Sequence, residues 1–179
     1  MILLIYRTRR NLVLFRDSEE GFDTEESLSP GEGDMIDLWW GGHKENIGLI
    51  LTLAYQIQKS PVWHASKLIV KTIVANEEER ETAQARLETF IEEQRIPATA
   101  EILIRKPSLD IFKMIRESSR DAGLVFMGMR PPSPEETAEK YGSYYGSLLE
   151  TARGMPPVAF VLASEEIEFR KVIGISPAD

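Results

Sequence analysis

Few residues in this sequence have the type and spacing to do chemistry. Trp40-Gly-Gly-His-Lys-Glu-Asn46 puts Gly41 and Gly42 between an extended run and a helical one. Backbone amides at such a helix start can face an anion, although the same residues also suit a plain tight turn from strand to helix. The second place is Gly128-Met-Arg-Pro-Pro132, followed by Gly142-Ser143 and Gly146-Ser147. Gly41, Gly42, Gly128, Arg130, Gly142 and Ser143 together form the one candidate set for holding a nucleotide. The pattern departs from the usual ones, since neither stretch reads G-x-G-x-x-G or G-x-x-x-x-G-K-[ST]. Pro131 and Pro132 carry no amide proton, so they cannot cradle phosphate as glycines do. The Gly-Ser pairs fall inside a helical pattern, where they are expected to be close-packing positions.

Other chemistries find less. The absence of cysteine excludes disulfides, thiolate metal sites and a Cys nucleophile. A zinc site wants several ligands at close spacing. His43 has only Glu45 nearby and His64 stands alone after Pro61, so both read as surface residues and no metal ligand is nominated. Some pair among 29 carboxylates will always look catalytic. With no cleft-forming pattern around any of them, no catalytic residue and no cofactor is assigned. Asp37 is the most unusual carboxylate, because it interrupts an apolar strand; either it is buried there and demands a partner, or it lies at the exposed start of the strand. Arg7, Arg9 and Arg10 form a small basic cluster that could meet anionic head groups at about 1 kcal/mol per charge, or simply flank a strand in solvent.

The elements that would position these residues fit in one domain. The chain has 179 residues, 42% apolar and 28% charged, with 21 Lys and Arg against 29 Asp and Glu, a formal charge of −8. An acidic balance argues against a nucleic-acid surface, which wants a basic patch. No apolar run approaches the roughly 20 residues of a membrane span, and Met1–Tyr6 lacks the pattern of a secretory signal. The chain as given is therefore expected to be soluble.

Leu68–Ala75, Ala100–Ile104, Leu124–Met129 and Val158–Ala163 are continuous apolar runs, the pattern of strands covered on both faces. Met35–Trp40 and Asn11–Arg16 read as two further strands. Helical segments lie between the runs and act as crossovers, which makes the sheet mostly parallel. Asn46, Asn76, Ser108 and Ser133 are the expected helix caps, with Pro134 and Glu136 completing a capping box after Ser133. Ile47, Ile50, Leu51, Ala54 and Ile57 form one apolar helix face. Ala83, Leu87, Phe90 and Ile91 form the next, Ile111, Phe112 and Ile115 a third, and Ala138, Tyr141, Tyr145, Leu148 and Leu149 the last. Asp17–Gly33 reads as a long, mobile polar loop, and Glu165–Lys171 as a short helix.

Ile36-Asp-Leu-Trp-Trp40, Gly41-Gly42 and Leu49-Ile-Leu-Thr-Leu-Ala-Tyr55 resemble the C-terminal cytosolic region of cation–chloride cotransporters, especially prokaryotic members. The likeness continues through Trp63, Lys67–Val74, Asn76-Glu-Glu-Glu-Arg80, Arg95-Ile-Pro97, Leu124–Gly128 and Met155-Pro-Pro157, and Phe22-Asp23 matches the segment before it. The resemblance implies a region of two α/β halves, each like a universal stress protein, that regulates a transporter and helps it dimerise. Residues 1–33 would end the preceding half-domain, 34–179 would be the α/β regulatory domain, and Met1 would lie near a cut in a longer membrane protein. No residue matches an ion-transport site.

The expected architecture is a three-layer α/β/α sandwich around a mostly parallel sheet of five or six strands, Rossmann-like or universal-stress-protein-like. The expected role is non-enzymatic: a dimeric cytosolic regulatory domain joined to a membrane transport domain, without nucleic acid or small-molecule substrate. The alternative is a free-standing stress-type protein that binds adenine nucleotides. Proteins of that type place a glycine-rich loop after the fourth strand and a Gly-Ser at the next helix, where this chain has Met129-Arg-Pro-Pro-Ser133. A third possibility is a small hydrolase or transferase whose site has no recognisable pattern.

Overall fold

The structure is a computed structural model that describes residues 1–17 and 35–172. Residues 18–34, which hold most of the expected polar loop and Phe22-Asp23, lie outside the described residues. The elements run α1 (Ile2–Arg7), β1 (Leu12–Arg16), β2 (Met35–Trp39), α2 (Lys44–Gln58), β3 (Lys67–Val74), α3 (Glu77–Gln94), β4 (Ala98–Ile104), α4 (Ile111–Ser118), β5 (Ala122–Gly128), α5 (Ala138–Thr151), β6 (Val158–Leu162) and α6 (Phe169–Val172).

The continuous apolar runs become strands because they are covered twice. The sheet has six strands in the order β1-β6-β5-β2-β3-β4. All neighbours are parallel except β1, which adds antiparallel to β6 with Leu14 opposite Phe160. Side chains alternate between the faces. Ile36, Leu38, Leu68, Val70 and Phe126 pack on one side with Leu51 of α2 and Leu87 of α3. Trp39, Val125, Met127 and Phe160 pack on the other with Ile115 of α4 and Tyr141 of α5. This is the expected three-layer sandwich.

Helix starts follow local capping only in part. Asn76 caps α3 as read from sequence: its side chain accepts from the Glu79 amide at 2.9 Å, and the Glu79 carboxylate accepts from the Ala75 amide at 2.9 Å. The other three starts are corrected. Asp110, not Ser108, caps α4 by accepting from the Phe112 amide. Thr137, not Ser133, caps α5 by accepting from the Lys140 amide. Only half of the Ser133–Glu136 box forms, the Glu136 carboxylate accepting from the Ser133 amide; the Glu136 amide donates to the Ser133 carbonyl and closes a free-standing turn before the helix. In α2 the N-cap is His43, and Asn46 lies buried inside the helix. The apolar first residues also form α1, too short for periodicity to reveal; it packs Leu3 into the second core. The final helix covers only Phe169–Val172, shorter than the expected Glu165–Lys171.

The glycines of α5 are not close-packing positions. A Cβ built on Gly142 or Gly146 meets nothing within 4 Å. The close approach is at Gly48 in α2, where a Cβ would lie 2.0 Å from the Ile167 carbonyl oxygen. The 164–172 segment thus rests directly on α2, with the Phe169 ring buried edge-on against Tyr55. The two kinds of glycine predict opposite signs. Gly142→Ala should stabilise by about 0.5–1 kcal/mol through helix propensity. Gly48→Ala should cost about 1–3 kcal/mol by overpacking despite the same propensity gain. Urea denaturation measures both, and equal effects would contradict the close contact.

Candidate functional site

From β2 the chain moves to β3 and β4 on one side, then crosses to β5 and β6 on the other. Ligand crevices in open parallel sheets lie outside the carboxyl ends of the strands at such a reversal. Here a cavity of about 570 Å³ opens there, with Trp39, Gly41, Gly42, Phe112, Gly128 and Tyr144 among its lining residues. The structure thus brings together three of the six nucleotide candidates. Gly42, at φ +90, takes a conformation that suits glycine, so the turn itself explains that residue. Gly142 and Ser143 are exposed on α5 and do not line the cavity, nor does Arg130.

Gly128 serves a neighbouring side chain. Asn46 projects from α2 into the gap where β5 and β6 end. Its Nδ2 donates to the Met129 carbonyl at 2.6 Å, and its Oδ1 accepts from the Ala163 amide at 2.8 Å. A Cβ on residue 128 would lie 3.0 Å from that Nδ2. The glycine therefore admits an amide that stitches two strand ends, where a phosphate loop would need open amides.

Arg130 is also engaged. Its guanidinium meets the Glu136 carboxylate in a bidentate pair at 2.6 and 2.8 Å and lies over the rings of Tyr144 and Tyr141, 4.4 and 5.2 Å from their centroids. The Arg130 amide donates to the Tyr144 hydroxyl, and the Tyr141 hydroxyl donates to the Arg130 carbonyl. The Glu136 carboxylate accepts from the Ser133 amide, and its carbonyl accepts from the Arg7 guanidinium. Hydrogen bonding from Arg130 holds the Glu136 carboxyl down to about 2 from an ordinary 4.5. Burial pushes both tyrosine hydroxyls up, so they stay protonated donors.

Asp37 is fully buried with a partner, as its place in an apolar strand requires. Lys71 of β3 reaches it at 2.9 Å and also meets Glu101 at 3.4 Å. The same ammonium donates to the Ser118 carbonyl at 2.8 Å and hydroxyl at 3.0 Å, the end of α4. Trp39 donates its indole N–H to the Ser119 hydroxyl at 2.9 Å. Burial raises the Asp37 pKa, and the attraction of Lys71 and Ser119 only partly offsets it.

Sequence reasoning missed Lys71, Glu136 and Asn46 as polar anchors. Lys71 alone carried a signal, as a second charge inside an apolar run. Arg7 is taken up by the Ser133–Glu136 turn, donating also to the Pro134 carbonyl. His43 and His64 are exposed, and among the described residues no three His, Asp or Glu side chains come together as metal ligands. No helix among them is long and apolar enough to cross a membrane.

No family model and no curated protein matches the chain. Among solved structures, it is similar to the cytoplasmic domain of a prokaryotic cation chloride cotransporter, with 22% identity and a TM-score of 0.61 over 96% of this chain. The chain spans 59% of that structure's length. A universal stress protein solved with cAMP is similar at 11% identity and a TM-score of 0.45, over 75% of this chain and 100% of that one. The α/β fold read from the sequence is thus also the fold of the cotransporter domain.

Two substitutions test the site's electrostatics. Lys71→Met strands a buried carboxylate and should cost about 3–5 kcal/mol at neutral pH, whereas Asp37→Leu with Lys71→Met should recover most of it. A raised Asp37 pKa means its contribution is largest below the unfolded value and lost as pH rises through the folded one, so the Lys71→Met defect should shrink in acid. Glu136 has the opposite sign. Its lowered pKa stabilises above about 4.5, and that gain is lost as pH falls towards about 2. Glu136→Gln should lower the Tm at pH 7, and the gap from the parent protein should close across that acid window in a calorimetric pH series.

Proposed function

We propose that this chain is a non-enzymatic regulatory and dimerisation domain on the cytosolic side of a cation–chloride cotransporter, attached to a membrane domain that carries sodium or potassium with chloride. The observation that carries the reading is the fold likeness to a cotransporter cytoplasmic domain over 96% of this chain. The order of the Trp39-Trp40, Gly41-Gly42 and Met155-Pro-Pro157 elements supports it independently. On this reading 34–179 form the regulatory unit, and α1 and β1, from the end of the preceding segment, pack onto its sheet and core.

The site's chemistry agrees with a role other than turnover. Polar side chains at the strand ends are taken up internally: Asn46 by the Met129 carbonyl and the Ala163 amide, and Arg130 by Glu136. The adenine-nucleotide alternative draws less support, because its phosphate-side candidates are either paired, as Arg130 is, or exposed away from the crevice, as Gly142 and Ser143 are.

Chloride flux into vesicles tests the reading. The membrane protein encoded in the same reading frame, or beside it in the genome, is reconstituted with and without this domain. Deletion should change the flux rate while leaving the membrane domain folded, and light scattering of the isolated chain should report a dimer. An unchanged flux, or a genome context without a multi-spanning membrane protein, would sink the proposal.

A further inference from the structure

We propose that the crevice at the carboxyl ends of β2, β3 and β5 binds an apolar monoanion, a ring- or chain-sized apolar body bearing one carboxylate. The inference stands apart from the transporter reading and survives its failure.

The walls are apolar: Ile73 and Val74 from β3, Ile111 and Phe112 from α4, Met127 from β5 and Leu148 from α5. Ile111 remains 37% exposed at the rim, an apolar side chain without cover. About 570 Å³ lies within the roughly 300–1,000 Å³ of ordinary ligand sites, which combine such walls with a few polar groups that orient the ligand. Polar groups here are indeed few. The Thr72 hydroxyl is spent on the Trp40 carbonyl. Tyr144 accepts from the Arg130 amide and keeps its own proton to donate.

Arg105 sets the ligand's charge. It lines the crevice just past the end of β4, it is exposed, and its guanidinium has no partner among the described residues. A lone unpaired cation beside an apolar cavity, on a chain of net charge −8, complements a single negative group. A polyphosphate would need more. Arg130 does not line the crevice and is bound to Glu136, and Pro131 and Pro132 offer no amides.

The test is calorimetric titration of the full chain with 2-naphthoate, octanoate, neutral 2-naphthylmethanol and ADP, in the parent protein and in Arg105→Gln. Arg105 is exposed, so that variant keeps the fold, which circular dichroism verifies. Saturable one-to-one binding of at least one acid, weakened about tenfold by Arg105→Gln, is expected. Naphthoate alone assigns the crevice to aromatic acids, and octanoate alone to fatty acids. The neutral alcohol should bind more weakly than naphthoate and equally to both proteins. Binding of neither acid, equal acid binding in both proteins, or ADP binding tighter than both acids would overturn the proposal.

Discussion

Two buried charges near the middle of the sheet govern how its carboxyl end is built. Asp37 and Lys71 sit on neighbouring parallel strands, and neither can be left alone: an unpaired ion in an apolar layer costs several kcal/mol. The pair also needs the right face. Sliding β2 by one residue would turn Asp37 towards Ile36 and Leu38's side of the sheet and leave Lys71 without its partner. Lys71 then donates to the last carbonyl of α4, where a cation also favours the helix dipole. That contact pins the C-terminal end of α4 to the sheet. Because α4 follows β4 and returns along the sheet, its other end must overhang the strands' carboxyl ends, where Ile111 and Phe112 wall the crevice.

The opposite rim is fixed by hydrogen bonds instead of charge. Parallel strands that end side by side leave carbonyl and amide groups without ladder partners. Asn46 supplies both a donor and an acceptor from one side chain, so α2 closes β5 and β6 together. A methyl group at residue 128 would press on that amide. The glycine that looks like part of a phosphate loop is therefore accounted for by its packing against Asn46. Two residues beyond Gly128, Arg130 receives a built-in anion from Glu136, and the two tyrosines shield the pair.

These interactions explain what could be read from the sequence. The strands were legible because burial on both faces leaves continuous apolar runs, and of the two readings open for Asp37, exposed or buried with a partner, the structure has the second. Asn76 was legible as a cap because its partners are three residues away. Asn46 was not, because its partners are 83 and 117 residues away and a local rule offers only capping. Ser133 misled for a related reason: the Glu136 carboxylate does reach back to its amide, but in a turn held by Arg130 and Arg7, so the helix waits for Thr137. The glycines of α5 showed the limit of composition, since sequence cannot tell a glycine under a neighbouring backbone from one facing open space. Gly48 and Gly142 are those two cases.

The spending of polar groups also decides what kind of site remains. A catalyst needs a nucleophile, acid or base that is reachable and poised. Here the strongest charge pairs are sealed in internal contacts, and among the described residues the crevice lining is largely apolar, with the Tyr144 hydroxyl and the Arg105 guanidinium beside it. Such a surface can recognise and hold, through burial of apolar area and a single charge contact. The fold keeps the crevice that parallel topology provides. The side chains along it offer apolar contact where a phosphate would need open amides.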